Sequence, residues 1–206
     1  MKIIIFQRSR IMNTESKQTR RELSHQRILD AAARAVRRHG YDGVGVAEVM
    51  KEAGLTHGGF YAHFKSRDAL LAAAVEHAGT SSSKTLGRRI AASLEAGASP
   101  LRAVVEAYLS PEHLAAQDMG CPVAALGSEM VRQQEDVRAA SRRRVLGLIE
   151  TVRQALPAGA DPQQAAVIAS SLVGTVQLAR VLGDGAGELL QAARTSILEQ
   201  YDRPPT

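Results

Sequence analysis

Six histidines, a single cysteine and a run of hydroxyl, imidazole and cationic side chains between Thr56 and Arg67 are the residues whose types could do chemistry. No histidine pair has the H-E-x-x-H spacing of a zinc site, and no glycine-rich phosphate loop follows a strand. A lone Cys121 completes neither an intramolecular disulfide nor a multi-cysteine metal site. The sequence therefore predicts no catalysis, no metal and no cofactor. What it does offer is a phosphate-binding chemistry. Thr56, Tyr61, His63, Lys65 and Arg67 surround His57-Gly58-Gly59 with groups of the kinds that contact a nucleic-acid backbone. Two adjacent glycines in the first turn of a helix cost about 1 kcal/mol each against alanine, so something must compensate. A recognition helix in a major groove would, because absent side chains let backbone and neighbours approach bases closely.

Charge supports that reading. The chain of 206 residues carries a formal +5. Residues 1–67 hold thirteen Lys or Arg against six Asp or Glu, a net +7, and the remainder holds thirteen against fifteen, a net −2. An exposed basic face without a partner has the same composition. Hydrophobic residues make up 45% of the chain, and no apolar run approaches the roughly 18 residues of a membrane span. Ile3 to Phe6 is too short for a signal-peptide core, so a cytoplasmic protein without a membrane partner is expected, starting at Met1 or Met12.

The elements that must position these residues are helical. Residues 1–18 show no sustained periodicity and read as a flexible basic arm. Thr19 with Glu22 fits a capping box, and Ile28, Ala32, Ala35 and Val36 line one face of a helix that Gly40 ends. Val46 to Ala53 is a short amphipathic helix, Gly54 the turn, and Thr56 the N-cap of a second helix reaching Phe64. Ser66, with Asp68 following, starts a fourth helix. Further helix starts fall at Ser99-Pro100, Cys121-Pro122 and Asp161-Pro162. Breaks are expected near Gly79–Ser83, Ser110–Gly120, Pro157–Ala160 and Gly183–Gly187. The fold class is all-α with about nine helices: a three-helix helix-turn-helix domain over residues 19–67, then a helical ligand-binding and dimerisation domain over residues 68–206.

Ile28-Leu29-Asp30-Ala31-Ala32, His39-Gly40-Tyr41, Ala53-Gly54-Leu55-Thr56, Phe60-Tyr61-Ala62-His63-Phe64 and then Ser66 to Leu71 together resemble the N-terminal signature of the TetR family of transcriptional regulators. The resemblance is strong over residues 22–71 and architectural beyond. It implies a double-stranded DNA operator, with His57, Gly58 and Gly59 over base edges and Thr56, Tyr61, His63 and the cation opening the fourth helix on phosphates. Two positions depart from the family pattern: Arg67 where Lys is usual, and Gly45 where a hydroxyl residue caps the second helix.

The resemblance also implies a homodimer through the last two helices, and Val167, Ser171, Gly174, Leu178 and Val181 fall at helical spacing on the first of them. An intramolecular core has the same spacing. Dimerisation would set two recognition helices about 34 Å apart on a near-palindrome. Cys121, before Pro122 at a helix start, is either a reactive sensor thiol or a small packed residue. An unknown small-molecule inducer would enter among the later helices, with Tyr108, His113, Met130 and Gln177 as candidate lining. A repressor released by a small molecule or by cysteine modification is the expected function. A nonspecific architectural DNA-binding protein is the alternative.

Overall fold

Between Lys2 and His39 no glycine or proline interrupts the chain, and once a helix is nucleated each further residue adds a backbone bond. This stretch forms one helix, α1 (Lys2–His39), in a computed structural model that describes residues 2–202, with side chains from residue 18 onward. The arm expected over residues 1–18 is thus helical from Lys2, and its side chains up to residue 17 lie outside the described residues. Thr19 and Glu22 sit inside α1, so the capping box expected there marks no helix start.

Gly40, at φ +71°, ends α1, and the buried Tyr41 and Val44 anchor the loop to α2 (Val46–Glu52). Gly54, at φ +70°, then turns the chain in the left-handed region that favours glycine. Its N–H donates to Lys51 O at 3.0 Å and that of Leu55 to Met50 O at 2.9 Å, which together close the helix end. The segment after the turn is a 3-10 helix, His57–Ala62, instead of the α-helix expected to reach Phe64. Gly58 and Gly59 remove helix propensity from a piece too short to recover it cooperatively. Thr56 is extended as an N-cap should be, but its hydroxyl accepts no capping bond.

Ser66 caps the next helix, α3 (Arg67–Glu95), by accepting from Ala69 N at 3.1 Å. Expected to break near Gly79–Ser83, α3 runs through that stretch: Gly79 and Ser82 are buried against neighbouring helices, and packing overrides the local weakness. The remaining helices are α4 (Pro100–Tyr108), α5 (Pro111–Ala115), α6 (Pro122–Met130), α7 (Glu135–Ala155), α8 (Gln164–Leu182) and α9 (Ala186–Tyr201). Ser99 and Ser110 cap α4 and α5 through bonds from Arg102 N and His113 N, both 3.1 Å. The break expected over Ser110–Gly120 therefore contains the short α5. Asp161 Oδ1 takes the Gln163 amide at 2.9 Å, which delays α8 by two residues past Pro162.

Nine α-helices and no strand are found among the described residues, so the molecule is all-α. α1 packs on α2, α3 and α6; α3 lies against α4 and α7; α8 and α9 form a hairpin against α7 and α4. One continuous core joins both halves, from Ile28 and Met50 through Leu71 and Tyr108 to Leu172 and Ile197. The expectation that no apolar stretch is long enough to span a membrane needs correcting, since Gln164–Tyr201 qualifies by length and composition. Here it folds back on itself at Gly183, and Ile168, Leu172 and Val176 enter the core.

Candidate nucleic-acid interface and sensor cavity

The recognition turn is built around two phenylalanines. Phe60 and Phe64 are buried, stacked at 5.9 Å between ring centroids, and lie in one core with Met50. Fixing them inward forces the intervening residues outward. Thr56, His57, Gly58 and Lys65 are exposed, and Tyr61, 73% exposed, stands edge-on to Phe60 at 5.2 Å. A Cβ on Gly58 would meet nothing within 4 Å, so the protein's own packing does not require glycine there. A large exposed aromatic beside a bare backbone suits a partner surface that the turn approaches closely.

Two expected phosphate ligands are placed differently from this exposed group. His63 is half-buried, its ring 5.8 Å from that of His25 on α1, and its buried Nδ1 has no partner. Loss of hydration, followed by the neighbouring His25 and Arg21, lowers its pKa. The Arg67 guanidinium donates through Nε to Val44 O at 3.1 Å and through Nη2 to Tyr41 O, tying the start of α3 to the loop between α1 and α2. Sequence reasoning missed Arg21, whose Nη2 donates to Ala62 O at 2.8 Å and fastens the recognition turn to α1. Only its place in the basic run hinted at it.

Among the sensor candidates, Cys121, Tyr108 and His113 come together. Cys121 is the N-cap of α6 and is buried; its N–H donates to His113 Nε2 at 3.1 Å. His113 Nδ1 in turn meets Tyr108 O at 2.6 Å, so the ring is satisfied as a neutral tautomer with hydrogen on Nδ1. Burial pushes the Tyr108 hydroxyl well above its ordinary pKa, with the nearby Cys121 adding to the shift. Cys121 and Tyr108 share a cavity of about 90 Å³ with Gly79, Leu86, Arg144 and Leu148, between α3, α4, α6 and α7. Met130 lies elsewhere, in an open groove between α6 and α7, and Gln177 reaches Gly127 on that side of α6. Arg180, beside Gly120, was missed by the sequence reading although it is the one charged residue of α8.

The dimer candidates on α8 divide between exposed and half-buried positions. Val167, Ser171, Leu178 and Val181 are exposed, with Val181 at 86%; Gly174 is half-buried, with open space where a Cβ would stand.

Comparison with known proteins bears on this geometry. Residues 28–74 match the family model of bacterial regulatory proteins of the tetR family, covering the end of α1, the turn and the start of α3. Over that stretch the chain is similar to regulators of the TetR family. A curated relative, the transcriptional regulator AcuR of Cereibacter sphaeroides, is 31% identical over 132 residues, or 63% of this chain and 57% of that protein. The match thus spans little more than half of that relative's length. Among solved structures, the reduced form of NemR from E. coli superposes with a TM-score of 0.73 at 21% identity, over 89% of this chain and 98% of that one. A regulatory protein TetR from Rhodobacter sphaeroides gives 0.71 at 23%, over 87% and 99%. The likeness in fold therefore extends well past the matched residues 28–74.

In this chain the two halves are joined by a buried cation. Arg37 donates through Nη1 to Ala33 O at 3.1 Å and Asp118 O at 2.7 Å, and through Nη2 to Ala78 O at 2.7 Å. Burial lowers its pKa to about 10. Beside it Arg38 pairs with Asp118 at 2.6 Å, and Glu129 Oε2 accepts from Tyr41 N at 2.9 Å. A Cβ on Gly40 would fall 2.6 Å from Glu129 Oε2, so glycine permits that approach. The end of α1 is thereby clamped to α3, to the loop before Cys121 and to α6.

Proposed function

We propose that the protein is a cytoplasmic, homodimeric repressor that binds a palindromic operator and is released by a small molecule or by modification of Cys121. The carrying observation is the recognition turn: His57, Gly58 and Tyr61 exposed over a core of Phe60 and Phe64, in a TetR-family domain. Base edges would be met by His57, Gly58 and Gly59, and phosphates by the exposed Thr56, Tyr61 and Lys65, with the half-buried His63 and the carbonyl-tied Arg67 contributing at the edge of that surface. Exposed Val167, Leu178 and Val181 on α8 support a four-helix dimer interface with α9. Repression requires only occupancy of the operator. The burial of Cys121 beside a cavity supports release by an entering ligand, and the likeness to a protein known in a reduced form supports attention to the thiol.

Fluorescence anisotropy on a duplex from the gene's own upstream region, against a scrambled duplex at about 150 mM salt, tests the reading where nonspecific attraction is weakened. Discrimination of roughly a hundredfold, lost in His57→Ala or Tyr61→Ala, is expected. The N-terminal charge of +7 favours the architectural alternative as well, and equal affinity for both duplexes across the upstream region would select it. Release by a quinone or peroxide that persists in Cys121→Ser would remove the thiol from the mechanism.

A further inference from the structure

Buried polar atoms in folded proteins find a partner in roughly nine cases out of ten or more. Among the described residues, six buried side-chain nitrogen or oxygen atoms have none: Arg37 Nε, His63 Nδ1, Tyr108 Oη, Arg144 Nε, and Nε and Nη2 of Arg180. Four of these six gather around Cys121. Tyr108 and Arg144 line the cavity with it, and Arg180 Nη2 lies against Gly120, where a Cβ would come within 3.3 Å of it. Tyr108 is only 1% exposed, so water does not satisfy its hydroxyl from the outside, and the neighbouring Cys121 thiol is a weak partner for it at best.

Three of the four atoms are guanidinium nitrogens, which donate and cannot accept. Arg144 pairs through Nη2 with Glu76 at 2.9 Å and leaves Nε toward the interior. Its passage across α3 depends on Gly79, where a Cβ would fall 2.1 Å from Arg144 Cδ. Arg180 forms no ion pair with a carboxylate among the described residues; Tyr108 and Cys121 are the titratable side chains near it. The first turn of α6 opens on the same place with no side chain capping it. Unpaired donors thus converge with the positive charge of Arg180, which no carboxylate answers, and that of Arg144, which Glu76 answers only through Nη2.

The complement of such a set is an anion with at least two acceptor oxygens. Leu86, Leu148, Pro122 and Val123 supply apolar wall to the same cavity, which an inorganic anion would leave unfilled. Its 90 Å³ gives room for about six to nine water-sized atoms. We infer that this cavity binds a small monocarboxylate, its oxygens accepting from Tyr108 Oη and Arg144 Nε in the field of Arg180, its aliphatic chain along Leu86, Leu148 and Val123. This deepens the ligand-released reading above, and rests on it for the consequence at DNA but not for the binding itself. Cys121 forms the wall beside the carboxylate and takes no covalent step in it.

Calorimetric titration of the full, reduced, DNA-free chain with hexanoate, hexanamide, hexylamine and inorganic phosphate tests the site. Hexanoate should bind roughly tenfold to a hundredfold more tightly than hexanamide, as charge-assisted hydrogen bonds exceed neutral ones, and hexylamine should not bind. Tyr108→Phe and Arg180→Met should each weaken hexanoate by about tenfold and leave hexanamide unchanged. Equal affinity for hexanoate and hexanamide, or no hexanoate heat up to about 10 mM, overturns the proposal. Phosphate binding as tightly as hexanoate overturns it too, in favour of an inorganic anion site. The wild-type series decides the matter even if a variant fails to fold. Anisotropy on operator DNA is read separately: hexanoate that binds the free protein without releasing DNA refutes its role as an inducer and leaves the site standing.

Discussion

His113 shows what a buried side chain can do by remaining neutral. Its Nδ1 meets Tyr108 O and its Nε2 accepts from Cys121 N, so a second proton would leave two N–H groups facing each other. Burial lowers its pKa below the ordinary 6.5, against the raising effect of its bond to Tyr108 O. The folded state therefore binds this proton less readily than the unfolded chain does. Stability is fully present above about pH 6.5 and falls as pH drops through the lowered value, with His63 contributing in the same direction. The urea midpoint should decline between pH 7 and 5, and less steeply in His113→Gln. The lowered carboxylates Glu112, Asp118 and Glu150 act only at lower pH, below the ordinary 3.8 to 4.5. Tyr61 presents the opposite case. Largely exposed, with only its edge contact to Phe60 to lose, Tyr61→Ala should cost no more than about 1 kcal/mol of stability while DNA affinity falls at least tenfold. Comparison of melting temperature with anisotropy separates the two effects.

Among the elements, the 3-10 helix His57–Ala62 offers a similar separation. Since nothing lies within 4 Å of a Cβ at Gly58, Gly58→Ala should stabilise the fold by up to about 1 kcal/mol, and should nonetheless weaken operator binding if the bare backbone sits against DNA. Much of this domain is legible because its signals are local: Gly54 for the turn, Ser66 for the cap, Phe60 and Phe64 four apart for the core. The 3-10 geometry was not, since the competition between two weak helical states is decided by the pull of both phenylalanines into the same core. The predicted break at Gly79–Ser83 failed for a related reason. A glycine reads as punctuation in sequence, whereas here it is a point of close approach for a side chain 65 positions away, Arg144. The destination of a long cation is equally invisible: Arg67 reads as a phosphate ligand, and the structure shows its guanidinium on two carbonyls. Cys121, Tyr108 and His113 could be named from type alone, but Arg180 and Arg144 acquire meaning only once packing deprives them of partners.

For the whole molecule, the exposed apolar stripe of α8 and the buried Arg37 make separate demands. If α8 forms the proposed dimer interface, Val181→Glu should shift the chain from dimer to monomer in sedimentation and lower operator affinity through the lost second half-site, with little change in helix content. Arg37→Met removes the donor that Ala33, Ala78 and Asp118 share, and should cost about 2 kcal/mol or more in chemical unfolding. If the clamp carries the signal, the variant that still folds should hold operator in the presence of ligand. The continuity of α3 has a mechanical consequence. At 1.5 Å per residue its 29 residues make a rod of roughly 43 Å, with the cavity bearing on it near Gly79, about 18 Å from the end that carries Arg67 and the recognition turn. A hinge at Gly79 would absorb a push from the cavity; a stiff rod converts it into displacement. A tilt of about 10° about that fulcrum moves the far end by roughly 3 Å, which in a dimer would occur twice and spoil a spacing set by the 34 Å pitch of DNA.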